Sequence, residues 1–250
     1  MASIVPVKKE QCKKLKVSKK RNLMHIANQH ILPIHINEYR QAATSFPILL
    51  VKRPESSHYR SVAILGIQAG ENLYLTDEEW KAIYVPQSAS MVPFSLGLDS
   101  EKENTLTTCI DIDSVLVGES KDNALFDTDN NETEYLKNIR ESLGALYDNE
   151  VLTEGFIKEL ISNDLLIELE LVMTFSNDEN KKLVGLFGIN DKKLHQLDES
   201  KILDFHKRGL LSAIHAMMRS LNQIQYLAKL HNNDSKKSTL TQIKFIAADS

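Results

Sequence analysis

The most regular pattern in the chain is "LIELELVMTF", where Ile167, Leu169, Leu171, Met173 and Phe175 share one face and Glu168 and Glu170 the other. A period of two predicts a strand with one buried side. "SNDEN" turns it back into "KKLVGLFGIN", so the two runs read as a hairpin. Earlier, "FPILLVK" (Phe46–Lys52) is a short apolar run with Pro at its start, where a strand tolerates it. "YRSVAILGIQ" and "NLYLT" flank "AGEN", whose Gly70 and Asn72 suit a tight turn, and a second hairpin is expected there. "WKAIYVP" and "TLTTCIDID" (Thr105–Asp113) predict two further strands.

The period then changes. "ETEYLKNIRESLGALYDNEVLTEGFIKELISNDLL" supports two helices, the first with Leu136, Ile139, Leu143 and Leu146 on its apolar side. Thr133 or Asn131 suits its N-cap. From Gly209 to about His231 the spacing of Leu210, Ile214, Met217, Leu221 and Ile224 marks another amphipathic helix. If that stripe is wider than one core needs, it would serve a homodimer. The prediction is an α+β protein with an antiparallel β-rich N-terminal half, and helices plus a β-hairpin in the C-terminal half. Along the chain this gives a basic arm at 1–21, a β-rich part at 22–130, a helical part at 131–231 and a tail at 232–250. One continuous domain is the alternative.

Charge changes the picture at one end only. Eight Lys or Arg lie in residues 1–21 against Glu10, which leaves the rest with 22 basic and 33 acidic residues, a net −11. Such an arm can hold phosphate or an anionic membrane, or lie across its own acidic surface. No aromatics interleave with the lysines to stack bases, and the body continues no basic track, so nucleic acid is not the expected partner. No apolar signal core precedes the lysines, and no window approaches the roughly 18 apolar residues of a membrane span. The default compartment is the cytoplasm, with export that reads no N-terminal signal left open.

Candidate chemistry is sparse. His25, His30 and His35 are spaced by five, which puts neighbours on opposite faces of a strand or about 140° apart on a helix. That gathers no metal shell. No histidine has an acid two places on, as a non-haem iron site would need. "DTDNNETEYLKN" (Asp127–Asn138) opens like a calcium loop, but Glu132 stands where the turn glycine belongs and Asn138 where the bidentate glutamate belongs. Cys12 and Cys109 cannot make a disulfide framework or a four-thiolate zinc site. Cys109, Asp111 and Asp113 alternate onto one face of their predicted strand, which suggests a face open to solvent or a ligand. There is no Gly-x-Ser-x-Gly and no phosphate loop. No catalytic residue, metal ligand or cofactor is expected.

"QHILPIHINEYRQAATSFPILLVK", "VAILGIQAGENLYL", "WKAIYVPQSASMVPFSL", "CIDIDSVLV" and "ALFD" resemble, in order and spacing, the bacterial SapC family. "LVGLFGINDKKLHQLDESKILDFHKRGLLSAIHAMMRSLNQIQYL" resembles its C-terminal part. This is not the peptide-transporter permease of the same name. Where the family pattern has a helix with paired arginines and an aromatic after "YVP", this chain has "QSASMVPF". "HILPIHI" reads as the family's opening segment, with His30 packed in it. The resemblance implies a non-enzymatic binding or accessory protein that acts through a protein partner: a modifying enzyme, a receptor or a surface-layer component. Halogenase-like and oxygenase-like genes are frequent neighbours of the family, which links it to peptide or protein modification. The alternative is an enzyme or enzyme subunit acting on peptides, with a metal or a partner-supplied cofactor. Turn chemistry and exposed polarity name Gly70, Glu71, Asn72, Tyr84, Pro86, Asp111 and Asp113 as binding candidates.

Overall fold

The strand with the cleanest alternation becomes the second strand of a six-stranded antiparallel sheet. Its order is Leu240–Ala247, Leu166–Phe175, Asn180–Ile189, Ile48–Lys52, Tyr59–Ile64 and Ile31–Pro33. Leu169, Leu171, Met173 and Phe175 are buried on one side, and Glu168 is exposed on the other. The hairpin expected across "SNDEN" is present, with the Phe175 amide donating to the Glu179 carbonyl. The last segment is no free tail, because Leu240–Ala247 pairs along most of Leu166–Phe175.

The computed structural model describes residues 3–20, 23–52, 58–99, 102 and 105–248. The chain forms two compact units, each made from two stretches: Met1–Leu23 with Gln87–Asp148, and Met24–Pro86 with Asn149–Ser250. The six-stranded sheet belongs to the second unit. Helix Leu210–Ser220 lies against Ile48–Lys52 and Asn180–Ile189. Its Ile214 and Met217 are buried, as are Phe46, Ile48, Leu50 and Ile64. Ser220, also buried, accepts a hydrogen bond from the Ile48 amide at 2.9 Å and donates to the Met217 carbonyl at 2.6 Å.

In the first unit, Ile4–Pro6 and Phe94–Leu98 flank Leu106–Asp111. Lys16–Val17 lies between Val117–Gly118 and Asn123–Ala124. Of the lysine-rich N-terminal stretch, Ile4–Pro6 and Lys16–Val17 pair into these sheets, and Lys9–Cys12 forms a short helix between them. Val7, Cys12, Val17, Phe94, Ile110, Leu116, Leu125, Phe126, Leu136 and Leu143 close the core.

Four expectations differ from the structure. "YRSVAILGIQ" forms no hairpin with "NLYLT": the apolar run Val62–Leu65 is wholly buried, and Tyr59–Ile64 takes Ile48–Lys52 and Ile31–Pro33 as neighbours instead. Leu75–Thr76 then makes a small ladder with Glu79–Trp80. "WKAIYVP" is a strand only at Trp80; beyond it the Trp80 indole N–H donates to the Tyr84 carbonyl and the backbone turns. The two expected central helices are one, Glu134–Ser162. Gly144 and Gly155 face open space in it, and their propensity cost of about 1 kcal/mol each is outweighed by apolar anchors such as Leu136, Leu143, Phe156 and Leu160. Finally, the helix expected from Gly209 is divided by a 3-10 turn at Leu221–Gln223, and resumes as Ile224–Asn232.

Candidate functional site

In the second unit, the 71–81 segment and helix Ile224–Asn232 enclose a groove of about 670 Å³. Gly66 makes its inner edge possible. A Cβ there would sit 2.1 Å from the Glu71 carbonyl oxygen, so only glycine allows the two backbones to approach this closely. Gly70 has φ +80°, the left-handed conformation that the turn requires. Asn72 is buried, and its amide donates to the Ile26 carbonyl (2.9 Å) and accepts from the Tyr74 amide (3.0 Å). Glu71 then meets Lys237 at 2.5 Å, while its other oxygen accepts from the Ile67 amide.

The groove floor is apolar, with Leu73, Leu75, Leu230 and the Tyr226 ring. Tyr226 rests 5.9 Å from Tyr74, whose hydroxyl donates to the Ser45 carbonyl and whose ring meets Phe46 at 4.8 Å. Burial pushes the Tyr74 hydroxyl pKa upward, so it stays a neutral donor. Three ammonium groups reach the lining. Lys81 pairs with Glu79 at 2.6 Å and Lys237 with Glu71, whereas Lys229 has no hydrogen-bond or ion-pair partner among the described residues.

The seven binding candidates are not brought to one place. Gly70, Glu71 and Asn72 share the groove's edge, although Gly70 and Asn72 shape backbone and only Glu71 offers a side chain of fixed charge. Tyr84 donates its hydroxyl to Glu38 at 2.7 Å, and Pro86 is buried. Asp111 and Asp113 belong to the first unit. The strand ends at Asp111, so alternation does not carry on to Asp113. One Asp111 oxygen accepts from the Ser3 and Asp113 amides and closes the turn. Cys109 is buried, and burial raises its thiol pKa, which leaves it a poor nucleophile.

Sequence reading passed over a buried charged cluster in the second unit. His35 Nδ1 lies 3.0 Å from Glu38 Oε1, and Nε2 lies 3.3 Å from Glu150 Oε2. Glu38 is 1% exposed and also accepts from the His35 amide, forming a capping box around the 3-10 turn Ile36–Glu38. Desolvation alone would depress the His35 pKa, but hydrogen bonds and charge from Glu150 and Glu38 override it and push it up to about 9. Imidazolium with a carboxylate at each nitrogen is therefore the resting state. The His-x-x-Glu spacing of "HINE" is the local signal; Glu150 could not be found from the sequence. His30 is only half-buried, and no group of three or more His, Cys, Asp or Glu side chains among the described residues is arranged to hold a metal ion.

An α+β protein with a groove of mixed polarity and a buried ion-paired histidine is the class that this geometry defines. The SapC family model matches residues 7–227, so the chain belongs to the SapC family. No curated protein and no solved structure matches it. No helix among the described residues is long and apolar enough to cross a membrane.

Proposed function

We propose that this SapC-family chain is a binding or accessory protein that engages a segment of a protein partner in the groove between residues 71–81 and helix Ile224–Asn232. The observation that carries the reading is the groove's construction: a rigid charged edge (Glu71–Lys237) beside an apolar floor (Leu73, Leu75, Leu230, Tyr226). A volume of about 670 Å³ falls in the range of specific ligand sites. A few convergent polar groups over apolar surface suit a peptide better than a flat face does. The neighbourhood of halogenase-like and oxygenase-like genes implied by the family resemblance makes a protein-modifying enzyme, or its peptide substrate, the expected partner class.

The test is parallel affinity capture from native lysate with the wild-type chain and a Tyr226→Ala, Leu230→Ser double variant, followed by mass spectrometry. Enrichment of one modifying enzyme, receptor or surface-layer component by the wild type, reduced at least about tenfold in the variant, is the expected outcome. Equal capture by both would remove the groove from the reading. Stoichiometric metal or a coloured cofactor on the purified chain, with no partner captured, would favour an enzyme acting on peptides instead.

A further inference from the structure

The lysines of the first unit's N-terminal stretch are not neutralised by the fold. Lys9 opens the short helix Lys9–Cys12 and Lys13 follows it one turn later, while Cys12 is buried. Lys16 precedes Val17, which packs into the core, so alternation along the strand turns Lys16 outward. Lys9, Lys13, Lys14, Lys19 and Lys20 are exposed. None of these six lysines has a carboxylate in ion-pair contact among the described residues, although Lys137 meets Glu134 and Arg140 meets Glu132 in the same unit. The stretch therefore does not lie across its own acidic surface. Residues 3–20 hold seven lysines against Glu10, and the adjoining residues 111–122 hold Asp111, Asp113, Glu119 and Asp122 against Lys121, which leaves the patch at +3. Two of those carboxylates are turned to backbone: Asp111 accepts from the Ser3 and Asp113 amides, and Asp122 from the Lys19 amide.

Apolar side chains stand in water beside this patch. The 112–116 loop is tied to both ends of the lysine stretch: the Ile112 amide donates to the Ser3 carbonyl at 3.1 Å, and the Ser18 amide to the Leu116 carbonyl at 2.9 Å. That loop carries Ile112 and Val115, the latter 74% exposed, and the adjacent strand carries Ile4 at 58%. We infer that this surface of the first unit docks on an anionic lipid bilayer. The ammonium groups meet the lipid phosphates, and Ile4, Ile112 and Val115 enter the headgroup layer, where lysine stems can lie along them with their charges still solvated. A nucleic acid fits the same charge but not the same neighbours. Residues 3–20 hold no aromatic ring to stack a base, and the three aliphatic groups would face phosphates. The surface is made entirely within the first unit, so it is argued independently of the peptide groove.

The test is co-sedimentation of the full chain with vesicles of phosphatidylglycerol and phosphatidylcholine in equal parts, against vesicles of phosphatidylcholine alone. At low salt the anionic vesicles should bind at least about tenfold more tightly, and the preference should shrink as salt is raised. A quadruple variant, Lys13→Gln, Lys14→Gln, Lys19→Gln and Lys20→Gln, should lose the preference. A double variant, Ile112→Ser and Val115→Ser, keeps every charge and should bind the anionic vesicles several-fold more weakly. All six side chains are exposed, and continued protection of the buried thiols of Cys12 and Cys109 would show that the unit is still folded in both variants. Equal binding to the two kinds of vesicle, or a preference that survives the quadruple variant, overturns the inference. So does binding of a DNA duplex as tight as that of the anionic vesicles, with the double variant unchanged on both, because the patch would then recognise polyanions in general.

Discussion

His35 shows how a residue that looks like a metal-ligand candidate becomes a structural cation. Burial would favour a neutral ring, but Glu38 and Glu150 sit on its two nitrogens, and the folded pKa rises to about 9 against an ordinary value of about 6.5. A histidine whose pKa is raised by folding contributes stability that is complete below about pH 6.5 and lost as pH climbs through about 9. With Glu150 partly open to solvent, the loss is on the order of 2 kcal/mol. Urea unfolding from pH 6 to 9.5 should therefore show a midpoint that declines across that window. A His35→Gln variant should be less stable at pH 6 and should lose the decline. A pH-independent wild-type midpoint would contradict the pairing. Glu38 is the more demanding partner, since a carboxylate 1% exposed is tolerable only while its bonds to His35 and Tyr84 hold.

Elements in this chain are joined by a few buried polar bonds as well as by apolar packing. Ser220, at the end of helix Leu210–Ser220, satisfies the amide of Ile48, the first residue of strand Ile48–Lys52. Ser220→Ala removes the acceptor, leaves that buried N–H unpaired, and should cost about 1–3 kcal/mol in denaturant unfolding. A loss below about 0.5 kcal/mol would mean that another group takes over the amide. Some joints were readable in advance. Thr133 caps helix Glu134–Ser162, accepting from the Leu136 amide at 3.3 Å, as an N-cap threonine should. The single long helix was not readable, because Gly144 and Gly155 look like breaks in a one-dimensional pattern. They become harmless once the buried anchors Leu136, Leu143, Phe156 and Leu160 are known.

At the scale of the whole molecule, the two units each interleave two stretches of chain, and each carries its own buried core. The sequence supplies a probe for each. Both cysteines, Cys12 and Cys109, are buried in the first unit, and the only tryptophan, Trp80, is in the second. Thiol labelling and Trp80 emission are expected to change at different urea concentrations, since separate cores lose cooperativity separately. Coincident midpoints would show that the units unfold as one.

The sequence by itself determined the α+β class, the strand Leu166–Phe175 with its hairpin to Asn180–Ile189, the amphipathic faces of the later helices and a cap at Thr133 or Asn131, of which the structure uses Thr133. These follow from periods of two and of 3.6 and from turn chemistry, all properties of neighbours along the chain. The family was legible as well, from the order and spacing of several segments. Tertiary structure alone decided which strands adjoin, that Leu240–Ala247 completes the sheet, and that Tyr59–Ile64 passes over its apparent hairpin partner. It also decided the candidate sites. Glu71 and Lys237 are 166 residues apart, and His35 and Glu150 come from the two separate stretches of chain that make the second unit. Such pairs are selected by burial, which removes water from both groups and makes each require the other. No local pattern encodes that requirement.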